Sequence, residues 1–573
     1  MSTPIIAGLA ALLLATAAPV SATPEASGDL FLAGGSLGTC SELAPRACTS
    51  PMPARDGARQ APVLLFDPDG MARALDFRPW DRPDGVPVAA MEAVLRHVAA
   101  RSGGRPMSGR DAADRLASVC VNDGGRPRAV RCPQGDARAP WQRLTADERS
   151  ALLSAFELPQ FHDGTRAVER ADPGRSRSAG GTAVLEAFVE AARAASGRER
   201  PRIAFVTASA WDVFEPVDFY QSTFDALGAQ AHWWPVDAAL NAAVHGGGCD
   251  ALEDLRRSLL GLPGRGRLWP DLVAAQRQAC DHGEHLALLP FAVDGVFFAG
   301  GDQWRLRQAF VDAGDAPNAW LQALREAHAR GLVVGGTSAG AAVQSGAAML
   351  SNGSTAMALA QPPLMLPPPP PGCTRAGRCP DGVDEDALTA WPAGGTGLAG
   401  EAIVDTHFSE RGRELRLVAL MAHAGAPMGY GADEASALRL VGGAHGPRIQ
   451  AVGEAGGWVF TDARLRDGGH VATAWYLGDG SALERGGHGL VLAGAVRACE
   501  DAPAAGDLPG DALEDGALRA AARALAACGA EGRTLRAGPG TATLARTADT
   551  AVVRHGEHLG IGPLTLTWTP DRP

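Results

Sequence analysis

The chain has 573 residues and a formal charge of −12 at neutral pH, with 46% hydrophobic and 20% charged residues. That length exceeds one small core and points to two to four structural units, in a composition ordinary for a soluble protein. Every basic residue is Arg and none is Lys, and the acidic balance gives no support to a nucleic-acid or anionic-membrane partner.

The first residues, MSTPIIAGLAALLLATAAPVSATPEASG, carry an apolar stretch over 5–19 that is short for a bilayer span, then Val20-Ser21-Ala22, a small-residue cleavage pattern. Residues 1–22 therefore read as a signal peptide, although no Lys or Arg precedes the apolar stretch; a buried helix is the alternative. No later stretch is long and apolar enough for a transmembrane helix. The ten cysteines agree with export: Cys40, Cys48, Cys120, Cys132, Cys249, Cys280, Cys373, Cys379, Cys499 and Cys528. They fall into five sequence-local pairs in loop-like sequence, without C-x-x-C spacing, and in an oxidising compartment such cysteines staple loops. Spacing does not fix connectivity, and pairing between neighbours is the working expectation.

Residues 29–35 read as a short buried strand ending in a glycine turn. Residues 41–179 are rich in Pro, Gly, Arg and Asp and read as an irregular insertion with one amphipathic helix near 146–157. Helical periodicity returns at Gly180-Gly181, with Val184, Leu185, Phe188, Val189 and Ala192 on one face before Gly197. A strand follows over 202–207, then a helix through Phe219, Phe224 and Leu227, and a strand over 232–236. Residues 241–290 read as a second insertion. A strand over 293–299 ends in Gly300-Gly301, a helix runs to residue 329, and a strand occupies 331–336. This alternation predicts an α/β protein with a doubly wound, mostly parallel sheet and helices on both faces. Residues 353–397 interrupt a third time, and the five prolines 367–371 read as a stiff spacer. Strands dominate from Glu401, and 483–573 reads as a small C-terminal extension stapled by Cys499 and Cys528. The repeated HGEH, at 282–285 and 555–558, lacks the H-E-x-x-H zinc spacing, so no metal is assigned.

The stretch GLVVGGTSAGAAVQSG, residues 331–346, places Ser338 at a strand's carboxyl end, where parallel α/β sheets bind ligands. Gly336-x-Ser338-x-Gly340 has the pattern of a nucleophile elbow, whose glycines avoid Cβ collisions with nearby backbone and whose following helix offers amides to an oxyanion. A packing-driven Gly/Ala turn is the bland alternative. Downstream, 403–408 is a strand ending at His407, with Arg411, Arg413 and Arg416 after it on a helix. Residues 428–434 form a strand ending in Asp433 and Glu434. A serine, a histidine and an acid at strand ends suit nucleophile, base and orienter, and the order Ser, His, acid differs from that of α/β-hydrolases.

Four motifs together, GGTSAGAAV, FAGGDQ (298–303), VDTHFSERGRELRL (404–417) and GADEASALRL (431–440), resemble cyanophycinase, in the serine peptidase family that also holds bacterial aspartyl dipeptidase. The resemblance extends to LFLAGGSL (30–37), the block from Gly180 to 240 and AVGEAGGWVF (451–460), about half the chain. It implies a class I glutamine amidotransferase-like fold over 23–482, interrupted by the insertions 41–179, 241–290 and 353–397. It implies Ser338 as nucleophile, His407 as base and Glu434 as the acid, and alternation along an extended segment lets only one of Asp433 and Glu434 face the histidine. Gln303, Asp405, Arg413 and Arg416 match residues lining the family's substrate cleft, and an oxyanion would be held by amides near Ala339 and Gly301. The position before the histidine, usually Gln in cyanophycinases, is Thr406 here. No cofactor or metal is implied.

Three functions follow as expectations: a secreted serine exopeptidase releasing β-aspartyl-arginine from cyanophycin, a secreted relative cleaving other aspartyl or isoaspartyl peptides, and a non-catalytic binding protein on the same fold. The partner expected is a peptide or cyanophycin, not nucleic acid or membrane, and a homodimer stays open.

Overall fold

The structure, a computed structural model, describes residues 27–81, 85–122, 128–312, 314–487, 489–501 and 510–571. The stretch read as a signal peptide lies outside them. Sixteen strands form two large sheets: β1 (Leu30–Ala33), β2 (Arg202–Val206), β3 (Gln230–Trp233), β4 (Gly295–Phe298), β5 (Val333–Thr337), β6 (Ala402–Thr406), β7 (Met428–Ala432), β8 (Ser436–Val441), β9 (Arg448–Gly453), β10 (Gly457–Arg466), β11 (Gly469–Leu477), β12 (Ala482–Gly486), β13 (Gly489–Leu492), β14 (Gly532–Arg536), β15 (Gly540–His555) and β16 (His558–Pro570).

The first sheet has the order β13-β12-β9-β8-β1-β5-β4-β2-β3. Its strands β3, β2, β4, β5 and β1 are parallel. β1, β4 and β5 are buried at every position, as continuous apolar runs covered on both faces must be. The helix Ala179–Ser196 packs on this sheet. Ser178 caps it by accepting a hydrogen bond from the Gly181 amide (3.0 Å), and Gly197 ends it at φ 66°. Its predicted face is buried, and Phe188 meets Phe297 and Phe31 edge-on at 5.2 and 5.8 Å between ring centroids. Each such ring removes roughly 1.5–3 kcal/mol worth of apolar surface from water.

The sheet is mixed, which corrects the expectation of a mostly parallel one. β8, β9, β12 and β13 are antiparallel additions beside β1. In the second sheet, β6-β7-β10-β11-β16-β15-β14, only β6 and β7 run parallel. Short connections such as the turn between β10 and β11 can only join antiparallel neighbours. Residues 483–573, expected as an extension, contribute to both sheets: β15 and β16 continue the sheet that begins at β6.

The insertion 41–179 has more order than its composition suggested. Helices Pro68–Phe77, Val88–Ser102, Gly109–Ala117 and Ala146–Ser154 surround their own core of Trp80, Met91, Leu95, Leu116 and Phe156. The helix expected near 146–157 is present, with a capping box from Thr145 and Glu148.

All ten cysteines pair with their sequence neighbours: Cys40–Cys48, Cys120–Cys132, Cys249–Cys280, Cys373–Cys379 and Cys499–Cys528. Five disulfides suit an oxidising, extracellular or periplasmic environment. Among the described residues no helix is long and apolar enough to cross a membrane.

Candidate active site

The site is assembled around the turn that ends β1. The Gly34 carbonyl accepts from the His407 amide (2.7 Å), the Gly35 carbonyl from the Ala435 amide (2.9 Å), and the Gly34 amide donates to the Ser436 carbonyl (2.9 Å). The Ser338 amide donates to the Ala33 carbonyl (2.9 Å). One short segment thus fixes the loops that carry the serine, the histidine and the acid. Both glycines are sterically required: a Cβ on Gly34 would stand 2.0 Å from the Asp433 carbonyl oxygen, and one on Gly35 (φ +106°) 2.4 Å from the His407 ring.

Ser338 follows β5 at φ 53° and ψ −117°, a strained conformation that aims Oγ away from the sheet. The elbow glycines behave as the motif requires. A Cβ at Gly336 would lie 2.1 Å from the Gly340 carbonyl oxygen, and one at Gly340 would lie 2.1 Å from that of Phe298.

Ser338 Oγ is 2.8 Å from His407 Nε2, and His407 Nδ1 is 2.6 Å from Glu434 Oε1. With the proton on Nδ1, His407 donates to Glu434 and accepts from the serine hydroxyl. Burial holds the imidazole below its usual 6.5, against the upward pull of the Glu434 hydrogen bond. Burial pushes the Glu434 carboxyl up, but hydrogen bonds from His407 and Ser36 outweigh it and hold the group below the usual range. A neutral imidazole beside an ionised carboxylate is the arrangement a general base needs.

Asp433 faces the other way. It is fully buried, accepting from the Ser409 amide (2.9 Å) and from Arg519 Nη1 (2.8 Å). Arg519 also reaches Glu410 Oε1 (2.5 Å), and Glu410 Oε2 accepts from the Glu434 amide (3.0 Å). Arg519 lies on the helix Ala517–Ala524, far from the motifs, and sequence reasoning missed it.

The amides of Ala339 and Gly301 have no hydrogen-bond partner among the described residues, and both residues line the pocket beside Ser338. Gly301 has φ +147°, and a Cβ there would meet the Ser209 carbonyl oxygen at 2.3 Å.

That pocket, about 390 Å³, is also lined by Gln303, Asp405, Thr406, Arg411, Arg413 and Arg416. The four residues expected in a substrate cleft all line this pocket, and they differ in how far neighbouring side chains engage them. Asp405 is 2% exposed and both its oxygens are engaged: Oδ2 by Arg416 Nε (2.8 Å), Oδ1 by Arg416 Nη2 (2.7 Å) and the Thr406 amide (2.8 Å). Arg416 is itself 3% exposed and donates its remaining nitrogen to the Gly353 carbonyl. A buried carboxylate must be paired, and this bidentate pair consumes both partners. Arg413 donates Nη1 to the Thr406 carbonyl (2.5 Å) and stays partly exposed; burial, then Arg416 beside it, push it down to about 9, so it keeps its charge at neutral pH. Arg411 lines the same pocket with no side-chain partner among the described residues. It too was missed as a site residue, although its place four residues after His407 on a tight turn was a usable signal. Gln303 donates both amide hydrogens to the carbonyls of Leu350 and Ser351 (3.0 and 3.2 Å), leaving its oxygen as an acceptor.

A smaller compartment of about 240 Å³, lined by Leu185, Phe219, Tyr220 and Thr223, opens on the other side of Ser338. Away from the site, His282, Glu284 and His285 bring their ligand atoms within 4.8 Å of one another on the surface.

No protein-family model matches the chain. Among solved structures, a peptidase from an acI-B1 Actinobacterium is similar at 15% identity and a TM-score of 0.29, covering 48% of this chain and 82% of that one. At that level the likeness says nothing about what this chain does.

Proposed function

We propose that the protein is a serine-type peptidase, exported from the cytoplasm, that hydrolyses cyanophycin (multi-L-arginyl-poly-L-aspartate) to β-aspartyl-arginine dipeptides. The observation that carries the reading is the continuous hydrogen-bonded chain from Ser338 Oγ through His407 to Glu434, at 2.8 and 2.6 Å, on a strained strand-to-helix turn. In this reading Ser338 Oγ attacks the scissile carbonyl while His407 Nε2 takes its proton. The amides of Gly301 and Ala339 receive the oxyanion. Collapse breaks the C–N bond, His407 returns the proton to the leaving amine, and an acyl-enzyme remains. Water, deprotonated by the same imidazole, then releases the acid. Arg411 and Arg413 supply positive charge for the free α-carboxylates of the substrate's arginyl groups.

The test is incubation of the purified protein with cyanophycin and mass analysis of the soluble products. β-Aspartyl-arginine, absent with Ser338→Ala, supports the reading; an untouched polymer removes it. A second reading, hydrolysis of short aspartyl or isoaspartyl peptides, is favoured by one observation. Asp405 is sequestered by Arg416, so the pocket at the serine offers no carboxylate without a partner to a substrate guanidinium.

A further inference from the structure

The three insertions are scattered in the sequence, yet each supplies a wall of one groove. Phe77 comes from the first, Asp254 and Leu259 from the second, and Pro368–Pro371 from the third, and Trp304 of the helix Gln303–Phe310 lies among them. The groove has a volume of about 870 Å³ and shares Gly301, Gln303, Ser351 and Asn352 with the pocket at Ser338, so the two are continuous. The insertions also hold one another in place. Arg257 pairs with Asp76 (2.7 Å), Arg378 with Glu148, and the Ala146 amide donates to the Pro371 carbonyl (2.9 Å). Arg305, beside the groove, pairs with Asp147 (2.6 Å).

The lining of the groove is complementary to one kind of side chain. Leu259 is 52% exposed, and with Phe77, Trp304 and the prolines it makes apolar walls. The arginines that reach the groove, Arg78, Arg257 and Arg305, each face an acid at 3.9, 2.7 and 2.6 Å. Asp254 has no side-chain partner among the described residues, whereas Asp302 caps the helix Gln303–Phe310 by accepting from the Trp304 amide (2.7 Å) and has Arg305 at 3.9 Å. Apolar walls with surplus carboxylate suit an arginine side chain, whose stem packs on apolar surface while its planar head seeks an anion. Charge is thus divided across the Gly301–Gln303 boundary: among the described residues Arg411 is unpaired on the serine side, beside Arg413 at 3.4 Å from Asp405, and Asp254 is unpaired in the groove.

We propose that the three insertions form a second binding compartment for the substrate, a groove that takes a guanidinium-bearing extended segment while the aspartyl residue to be cleaved lies at Ser338. This deepens the peptidase reading and rests on it for the identity of the substrate, but the binding can be measured without turnover. The full chain carrying Ser338→Ala is titrated by calorimetry with a tetra-arginine peptide and with a tetra-aspartate peptide, alone and with Asp254→Arg or Asp254→Asn added. The proposal expects tetra-arginine to bind, with affinity falling about tenfold on Asp254→Arg and by a smaller factor on Asp254→Asn. Tetra-aspartate binding should not weaken. An unchanged thermal unfolding midpoint verifies that the exposed substitutions leave the fold intact. Absence of tetra-arginine binding, or equal affinity in all the proteins, overturns the groove. Labelling of Ser338 in the otherwise unaltered chain by a fluorophosphonate reports separately on the serine reading, so either can fail alone.

Discussion

Ser36, Ser338, His407 and Ala435 hold φ values of 49°, 53°, 48° and 54°. Side-chain-bearing residues avoid this region at a cost of roughly 1–3 kcal/mol each, and four of them meet around one hydroxyl. The strain is held by the turn at Gly34-Gly35, whose role the sequence did not reveal. LFLAGGSL looked like a strand ending in a glycine turn, and nothing local shows that Gly35 makes room for an imidazole 372 positions away in the chain. Gly35→Ala should therefore misplace His407 and lower kcat about 100-fold, the scale of a 1 Å error in catalytic geometry. An unaltered kcat would show that the ring has another resting place. The pH dependence follows from the same contacts. Burial lowers the His407 pKa, so kcat/KM should rise with pH through a midpoint below 6.5 and level off above it. Glu434→Gln removes the group that pulls the pKa up, so its acid limb should move to lower pH while kcat falls by roughly 10²–10⁴. A midpoint at or above 6.5 in the unaltered protein contradicts the assignment of the base.

The element that most extends the motif reading is the helix Ala517–Ala524, whose Arg519 bridges Asp433 and Glu410 behind Glu434. Arg519→Gln leaves Asp433 buried without its cation. It should lower kcat about tenfold through displacement of the Glu434 loop, with KM little changed and partial recovery in Arg519→Lys. A change confined to KM would argue instead for a surface in contact with substrate. Beside this bridge lies Glu414, which burial and then Asp433 push up to about 8. The unfolded chain releases that proton near 4.5 and the folded chain only near 8, so ionisation favours unfolding in between. Stability from this group is complete below pH 4.5 and lost as pH rises through 8. Glu414→Gln should raise the urea midpoint at pH 9 relative to pH 5, and an unchanged ratio between the two would contradict it.

Helices whose capping signals stood clear, such as Ala179–Ser196 and Ala146–Ser154, were legible in the sequence. Val88–Ser102 was missed despite apolar residues at 91, 94, 95 and 98, because surrounding Pro, Gly and Arg made the whole insertion look irregular. The single helix expected to residue 329 is two, Gln303–Phe310 and Ala319–Ala329.

At the scale of the molecule, the five parallel strands were readable because buried parallel strands are continuous apolar runs. The four antiparallel additions and the second sheet were not, because alternating runs after residue 401 do not reveal which sheet each strand joins. The long hairpin β15–β16 belongs to the sheet that starts with β6, the strand just before His407, and only tertiary pairing shows it. Sequence likewise separated the insertions from the core without showing that they converge on one groove beside the serine. The candidate site itself was the most legible part: Ser338, His407 and Glu434 come together as their motifs implied, while the pairing of Asp405 with Arg416 in the pocket wall was not readable from their motif. The most direct test of the central claim, that this serine is a nucleophile activated by this histidine, is peptide mapping by mass spectrometry after reaction with a fluorophosphonate. One adduct is expected, on Ser338, formed at a rate that collapses in His407→Ala; an adduct elsewhere, none at all, or one indifferent to His407 contradicts that claim.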